Sequence, residues 1–329
     1  MNARTQLIKF TAVWLAIFII CSILSAFAYS SDSDDPSKPS DSDDPKVVDK
    51  TKEDAPDKRP DSTDSADTPD DPDDPATDPD SGTPYAELTY SAENAQYLIF
   101  VDAGHGWFDN GSSVRLTADG EYVYEKKDEN NRTVRDENGD IVYVTESGKT
   151  VTEDEFEYVY EKDINLQLAK KLKKALEKMG YTVGETRPGD ANEDCPVNLV
   201  NGIFYAKDRP AYVNEQGADY FVSIHCNTYT DSAVYGTRLF YSTTRDATLR
   251  LATAILQSMQ TTMSDKVTLS IDNQLYILLY SSMPTVLIES GFLTNADDLA
   301  KLTDPDWQDQ FVCAIAKGVD ADLHAQAAQ

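Results

Sequence analysis

The chain contains only three histidines. Two of them, His105 and His225, stand just behind the short apolar runs 97–101 and 220–224. Glu289 has the same relation to the run 284–288, and Glu161 opens a stretch with helical periodicity. Continuous apolar runs of this length are strands covered on both faces. In α/β sheets, ligands collect at the carboxyl ends of such strands, so these four side chains are expected to converge on one crevice. Two imidazoles and a carboxylate suit Zn²⁺ in a catalytic site with one position left for water. A second carboxylate beside the ion can take that water's proton, and the bound ion brings the water's pKa to roughly 7. The chemistry would be hydrolysis of a polarised carbonyl at neutral pH. Residue type alone leaves a structural alternative open. A His at a strand end is often a packed side chain, and a Glu at a helix start complements the helix dipole.

The elements that must position these groups alternate along the chain. From about residue 85, strand patterns at 97–101, 181–183, 220–224, 236–241 and 284–288 interleave with helical patterns at 162–179, 203–215, 247–263 and 307–323. That alternation predicts an α/β domain. Ile164, Leu168, Leu172, Ala175 and Met179 form one stripe of the first helix, with lysines opposite and Gly180 as its stop. Pro210 leaves the start of the second helix open. The segment 113–158 breaks the alternation. It is charged and rich in Tyr, with Tyr122-Val123-Tyr124 and Ile141-Val142-Tyr143-Val144 around the turn Asn138-Gly139-Asp140. A hairpin or small β insertion is expected there, and no internal repeat is evident.

Charge and composition set the organisation of the chain and exclude some functions. The 329 residues carry 58 acidic and 29 basic side chains, a formal net charge of −29. A nucleic-acid partner is therefore not expected, since binding phosphates needs a positive footprint. Residues 1–28 read as an export signal: Arg4 and Lys9 precede an apolar run that ends in Ala26-Phe27-Ala28. An uncleaved membrane anchor is the alternative, because such a run is just long enough to span a bilayer. Residues 29–84 are a Ser/Asp/Pro spacer with almost no large apolar side chains to offset ordering. Residues 85–329 then form the functional domain, with its insertion at about 113–158.

The strings around the four candidates resemble the zinc-dependent N-acetylmuramoyl-L-alanine amidase family of the amidase-3 type. The matching strings begin with Asp102-Ala103-Gly104-His105-Gly106 and continue with Glu161 opening a helix that bears Asn165-Leu166. Gly180-Tyr181-Thr182-Val183 and Thr186-Arg187 follow, then Arg209, Asn214, Ala218-Asp219, Phe221 and Ser223 to Asn227. The last string comprises Pro284, Leu287, Glu289, Gly291-Phe292 and Asn295. The resemblance implies a single three-layer α/β domain with a mostly parallel central sheet flanked by helices. It implies that His105, Glu161 and His225 bind Zn²⁺. Glu289 would be the general base and then the proton donor to the departing amine. The substrate would be peptidoglycan, cut between N-acetylmuramic acid and L-alanine by a monomer acting outside the cytoplasm. Asp102 and Asn227 are candidates to support the ligands, or simply to close turns, while Arg209 and Asn214 are expected to hold their helix to the sheet.

There are departures from the family's strings. Trp107-Phe108-Asp109-Asn110-Gly111 follows Gly106 where a second glycine and then Asp-x-Gly are common, and the insertion is long. The insertion falls between two expected ligands, so a lid or substrate-selecting flap is expected. Two rival functions remain: a non-catalytic wall-binding module on the same fold, and a zinc carboxypeptidase acting on stem peptides. The second needs a positive group for a free carboxylate, and the sequence assigns none. It also names no protein activator. Of the cysteines beyond the export segment, Cys226 is expected to be buried packing, and a Cys195–Cys313 pair is left open.

Overall fold

The computed structural model describes residues 80–107, 109–189 and 208–327. The expected export segment 1–28 and most of the 29–84 spacer lie outside the described residues, as does Cys195. Among the described residues, no helix is long and apolar enough to cross a membrane.

The apolar runs become the inner strands of a six-stranded sheet. These are β1 (Leu98–Ala103), β8 (Tyr220–Asn227) and β11 (Thr285–Phe292). β7 (Thr182–Glu185) flanks β1, while β9 (Thr237–Tyr241) and β10 (Val267–Ile271) lie beyond β11. The order is β10-β9-β11-β8-β1-β7. All pairings are parallel except β11 with β9, so β9 and β10 run against the other four strands. The sheet is thus mostly parallel, as the family resemblance implied. β10 escaped the sequence reading because its thronged polar pattern, Val-Thr-Leu-Ser-Ile, buries little beyond Val267.

Alternation along each strand divides the core into two layers, since successive side chains face opposite ways. Ile99, Val101, Val222, Ile224, Val286 and Ile288 face α1 (Glu161–Lys178), α3 (Asp246–Thr262) and α6 (Pro305–Ala327). Phe100, Phe221 and Leu287 face the other way, against α2 (Arg209–Gln216) and the short α4 (Tyr276–Tyr280). The result is helix, sheet and helix in three layers. α1 buries Ile164, Leu168, Leu172 and Ala175 as its stripe predicted. Two of its lysines, Lys174 and Lys178, meet Asp80 at 2.5 and 2.9 Å, so the acidic run ends docked on a basic helix face. The described part of the second expected helix starts at Arg209, and Pro210 occupies the first turn, where no N–H is needed. α5 (Ala296–Leu302) links β11 to α6.

The insertion is β-rich, as expected. β2 (Ser113–Thr117) and β6 (Phe156–Tyr160) form an antiparallel ribbon. It carries a second sheet of β3 (Val123–Glu125), β4 (Tyr143–Thr145) and β5 (Thr150–Val151) around Val123, Tyr143, Val151 and Phe156. The two segments proposed as a hairpin do pair, β3 with β4, but the turn at 136–140 is not their only connection. Four turns of one design occur, starting at Thr117, Asp128, Asp136 and Thr145. In each, the first residue's side chain accepts the N–H four positions on. The fourth residue has positive φ: Gly120 86°, Asn131 61°, Gly139 92° and Gly148 89°. The insertion therefore contains a short repeat after all. Its signal is a five-residue turn rule with variable residues, which periodicity of apolar positions does not reveal.

Candidate functional site

The chain leaves β1 through Gly104 and enters the left-handed region at His105, with φ 62°. That conformation is unusual for a residue bearing a Cβ, and two arginines hold it. Arg209 Nη1 donates to Ala103 O at 2.7 Å and its Nη2 to His105 O at 2.7 Å. Arg187 donates to the carbonyls of Ala103, Gly104 and Lys162 at 3.2, 3.3 and 2.8 Å. Arg209 is itself held by Asp102 at 2.7 Å. Asp102 also accepts from Ser223 Oγ at 2.5 Å and from Thr186 Oγ1. Burial opposes the Asp102 charge, but Arg209, His225 and these hydroxyls keep its carboxyl below the usual range. Arg209 therefore does more than pin α2 to the sheet: it shapes the loop that carries His105. Asn214, by contrast, bonds Tyr280 O and Ser282 N and holds α2 to α4. Asn227 closes the strand end through Thr228 N and Leu293 N.

Glu161 is the first residue of α1 and only 3% exposed. Its Oε1 lies 3.2 Å from His105 Nε2 and 3.1 Å from His225 Nδ1. Oε1 also accepts from Cys226 N at 3.1 Å, and Oε2 accepts from Ser112 N at 2.8 Å. Burial works against this carboxylate, yet both imidazoles hold its pKa far below the usual range. His105 Nδ1 faces Asp109 Oδ2 at 2.9 Å, which directs Nε2 into the cluster. Burial disfavours the His105 cation, but Asp109 and Glu161 outweigh that and raise its pKa to about 9. Asp109 was not among the sequence candidates, although Asp109-Asn110-Gly111 fits the family's Asp-x-Gly string and stands four residues from His105.

Glu289 is the parallel neighbour of His225 in the β11/β8 register. Its Oε2 is buried without a hydrogen-bond partner. Burial pushes its pKa up and Glu161 adds to the rise, against opposing pulls from His225, His105 and Arg238. The structure thus brings all four sequence candidates together. Candidate ligand atoms of His105, Glu161 and His225 lie within 4.8 Å of one another. Two donors bound tetrahedrally to zinc at about 2.0–2.1 Å are about 3.3 Å apart, close to the 3.1 and 3.2 Å separations measured from Glu161. The donor set and its spacing fit zinc. Cys226 and Cys313 are buried free thiols, and Cys226 meets the site through its backbone N–H alone.

The chain is 31% identical over 162 residues to the N-acetylmuramoyl-L-alanine amidase LytC of Bacillus subtilis, covering 48% of this chain and 30% of LytC. It is 29% identical over 165 residues to the uncharacterised B. subtilis protein YqiI, covering 50% of this chain and 74% of YqiI. The chain thus spans less than a third of LytC. Among solved structures, an N-acetylmuramoyl-L-alanine amidase from Clostridium difficile 630 superposes with a TM-score of 0.50 at 27% identity, over 71% of this chain and 99% of that one. The CwlD amidase of Clostridioides difficile, solved with the GerS lipoprotein, gives 0.50 at 26% identity, over 70% and 100%. The family profile itself matches residues 99–321, a span that includes His105, Glu161, His225 and Glu289, and the chain belongs to the N-acetylmuramoyl-L-alanine amidase family.

Proposed function

We propose that this protein hydrolyses the amide bond between N-acetylmuramic acid and the L-alanine of the peptidoglycan stem peptide. The observation that carries the reading is the His105–Glu161–His225 cluster with the buried carboxylate of Glu289 beside it. His105, Glu161 and His225 would hold zinc, which when bound polarises the scissile carbonyl and makes water nucleophilic at neutral pH. The chain's own groups supply the rest. Asp109 fixes the His105 ring, and the Arg209–Asp102 pair fixes the loop beneath it. Glu289 takes a proton from the attacking water and passes it to the departing amine, while the hydroxyl joins the lactyl carbonyl carbon and the C–N bond breaks. A carboxylate made more basic by burial suits both transfers.

In this reading, residues 1–28 export the protein or anchor it to the membrane, and 29–84 space a monomeric domain from that point. The insertion is a flap at the crevice. Its ribbon grows from the metal cluster, since Glu161 N donates to Ser112 O at 2.9 Å, and Tyr122 Oη donates to Leu293 O at 2.8 Å just beyond β11. The test is digestion of purified peptidoglycan by residues 29–329, with products read by mass spectrometry. Stem peptides with a free N-terminal L-Ala are expected. They should vanish with a chelator and fall about 10²–10⁴-fold in Glu289→Ala at unchanged zinc content. Peptidoglycan left intact by zinc-loaded protein would overturn the reading.

A further inference from the structure

Arg238 lies directly opposite Glu289 in the antiparallel β11/β9 ladder, and Glu289 is paired in turn with His225 on β8. Residues paired across neighbouring strands face the same side, so His225, Glu289 and Arg238 form one row. The Arg238 guanidinium lies 4.8 Å from the centroid of the buried Phe292 ring, and the side chain remains partly exposed. Among the described residues, it makes no hydrogen bond or ion pair. The contrast with Arg187 and Arg209, whose donors are taken up by carbonyls and Asp102, is sharp. Here a cation with five donors is held in place by an aromatic face, beside a carboxylate with which it forms no salt bridge. It stands ready for a ligand in a chain with twice as many acidic as basic residues.

The geometry points to Arg238 as the anchor for a carboxylate of the stem peptide on the leaving-group side, a proposal that rests on the amidase reading above. The bond to be cut lies at the metal cluster, and the amine departs toward Glu289. Beyond Glu289 in the same row comes β9, one strand spacing of about 4.8 Å away. An extended peptide advances about 3.3–3.6 Å per residue. The α-carboxyl of the second stem residue therefore lies no more than about 7 Å from the L-Ala amine, within reach of a side chain as long as arginine. A guanidinium recognises a carboxylate with two parallel charge-assisted hydrogen bonds, which a carboxamide cannot reproduce. The positive group missing from the sequence reading is thus supplied by register.

The test uses zinc-loaded residues 29–329 and two N-acetylmuramoyl tetrapeptides that differ only in the second residue's α-carboxyl, free in one and amidated in the other. The wild type is expected to prefer the free acid about 10–100-fold in kcat/KM. Arg238→Gln should bring the ratio near one by raising KM for the acid, as loss of an interaction remote from the reacting atoms does. Arg238→Lys should retain part of the preference, with zinc content and melting temperature shared by all three proteins. A wild type that treats both substrates alike, or a preference that survives in Arg238→Gln, overturns the proposal and leaves the amidase reading standing. Failure to cut either substrate, with polymeric peptidoglycan also left intact, overturns the amidase reading and this proposal with it. Release of a C-terminal residue with the sugar–peptide bond intact overturns the amidase reading and reassigns the Arg238 anchor to a terminal carboxylate.

Discussion

Gly104 offers a direct test of how tightly the cluster is built. A Cβ placed there would lie 2.3 Å from His225 Cε1, 2.4 Å from Nε2 and 2.6 Å from Nδ1. The position cannot retreat, because Gly104 N donates to Ile224 O at 2.9 Å and Gly104 O accepts from Asn165 Nδ2 at 3.1 Å. The His225 ring must therefore move by about 1 Å to recover van der Waals distance. Metal–ligand bonds tolerate only about 0.2 Å, so in Gly104→Ala the imidazole leaves the cluster while the strands stay paired. Zinc affinity is expected to fall about 100-fold or more, about 2.7 kcal/mol. Amide hydrolysis should fall with it at limiting zinc. The assay is competition for zinc against a chromophoric chelator, with circular dichroism to confirm the fold. In a His225→Ala background, Gly104→Ala should add almost nothing, because the atoms it strikes are gone. Wild-type zinc affinity in Gly104→Ala, or a full loss that persists on top of His225→Ala, would refute the collision argument.

Two further perturbations address the loop and the insertion. Asp102→Asn leaves the buried Arg209 without its counter-charge and should cost about 3–5 kcal/mol in denaturant unfolding. The Asp102 carboxyl is held below its usual range, so it adds stability above the unfolded value of about 4, and that stability is lost as pH falls through the folded value. The variant should accordingly lose less stability on acidification than the wild type; equal acid sensitivity would contradict the assignment. Tyr122→Phe removes the bond to Leu293 O and leaves a buried carbonyl unpaired, at about 1–3 kcal/mol. Faster amide exchange across 117–156 is expected, together with an altered KM for polymeric peptidoglycan. Unchanged kinetics and substrate preference, there or when 115–157 is replaced by a short Gly/Ser link, would rule out the flap.

The inner strands were readable from the chain because β1, β8 and β11 are covered on both faces and so are written as unbroken apolar runs. The main helices were readable through their stripes. Elements set by a neighbour were not. β10 is paired on one side only, to β9, and carries Thr and Ser. α4 and α5 are too short to show a period. In the insertion the turns share hydrogen bonds and φ values more than residues, so their repetition became visible only in three dimensions.

His105, His225 and Glu289 could be picked out because the carboxyl ends of parallel strands must share one edge of a sheet, whatever their separation in sequence. The chain by itself therefore determined which groups would meet. What only the tertiary structure decided is how they meet: Glu161 Oε1 between two imidazoles, Asp109 behind His105, and Arg209 under the loop. Arg238 shows the reason most plainly. β9 runs against β11, so the end of β9 that reaches the site is its beginning, and a residue near the start of a strand becomes the partner of Glu289. Strand direction and register are settled by pairing between distant segments, and the local sequence around Arg238 carries no mark of either.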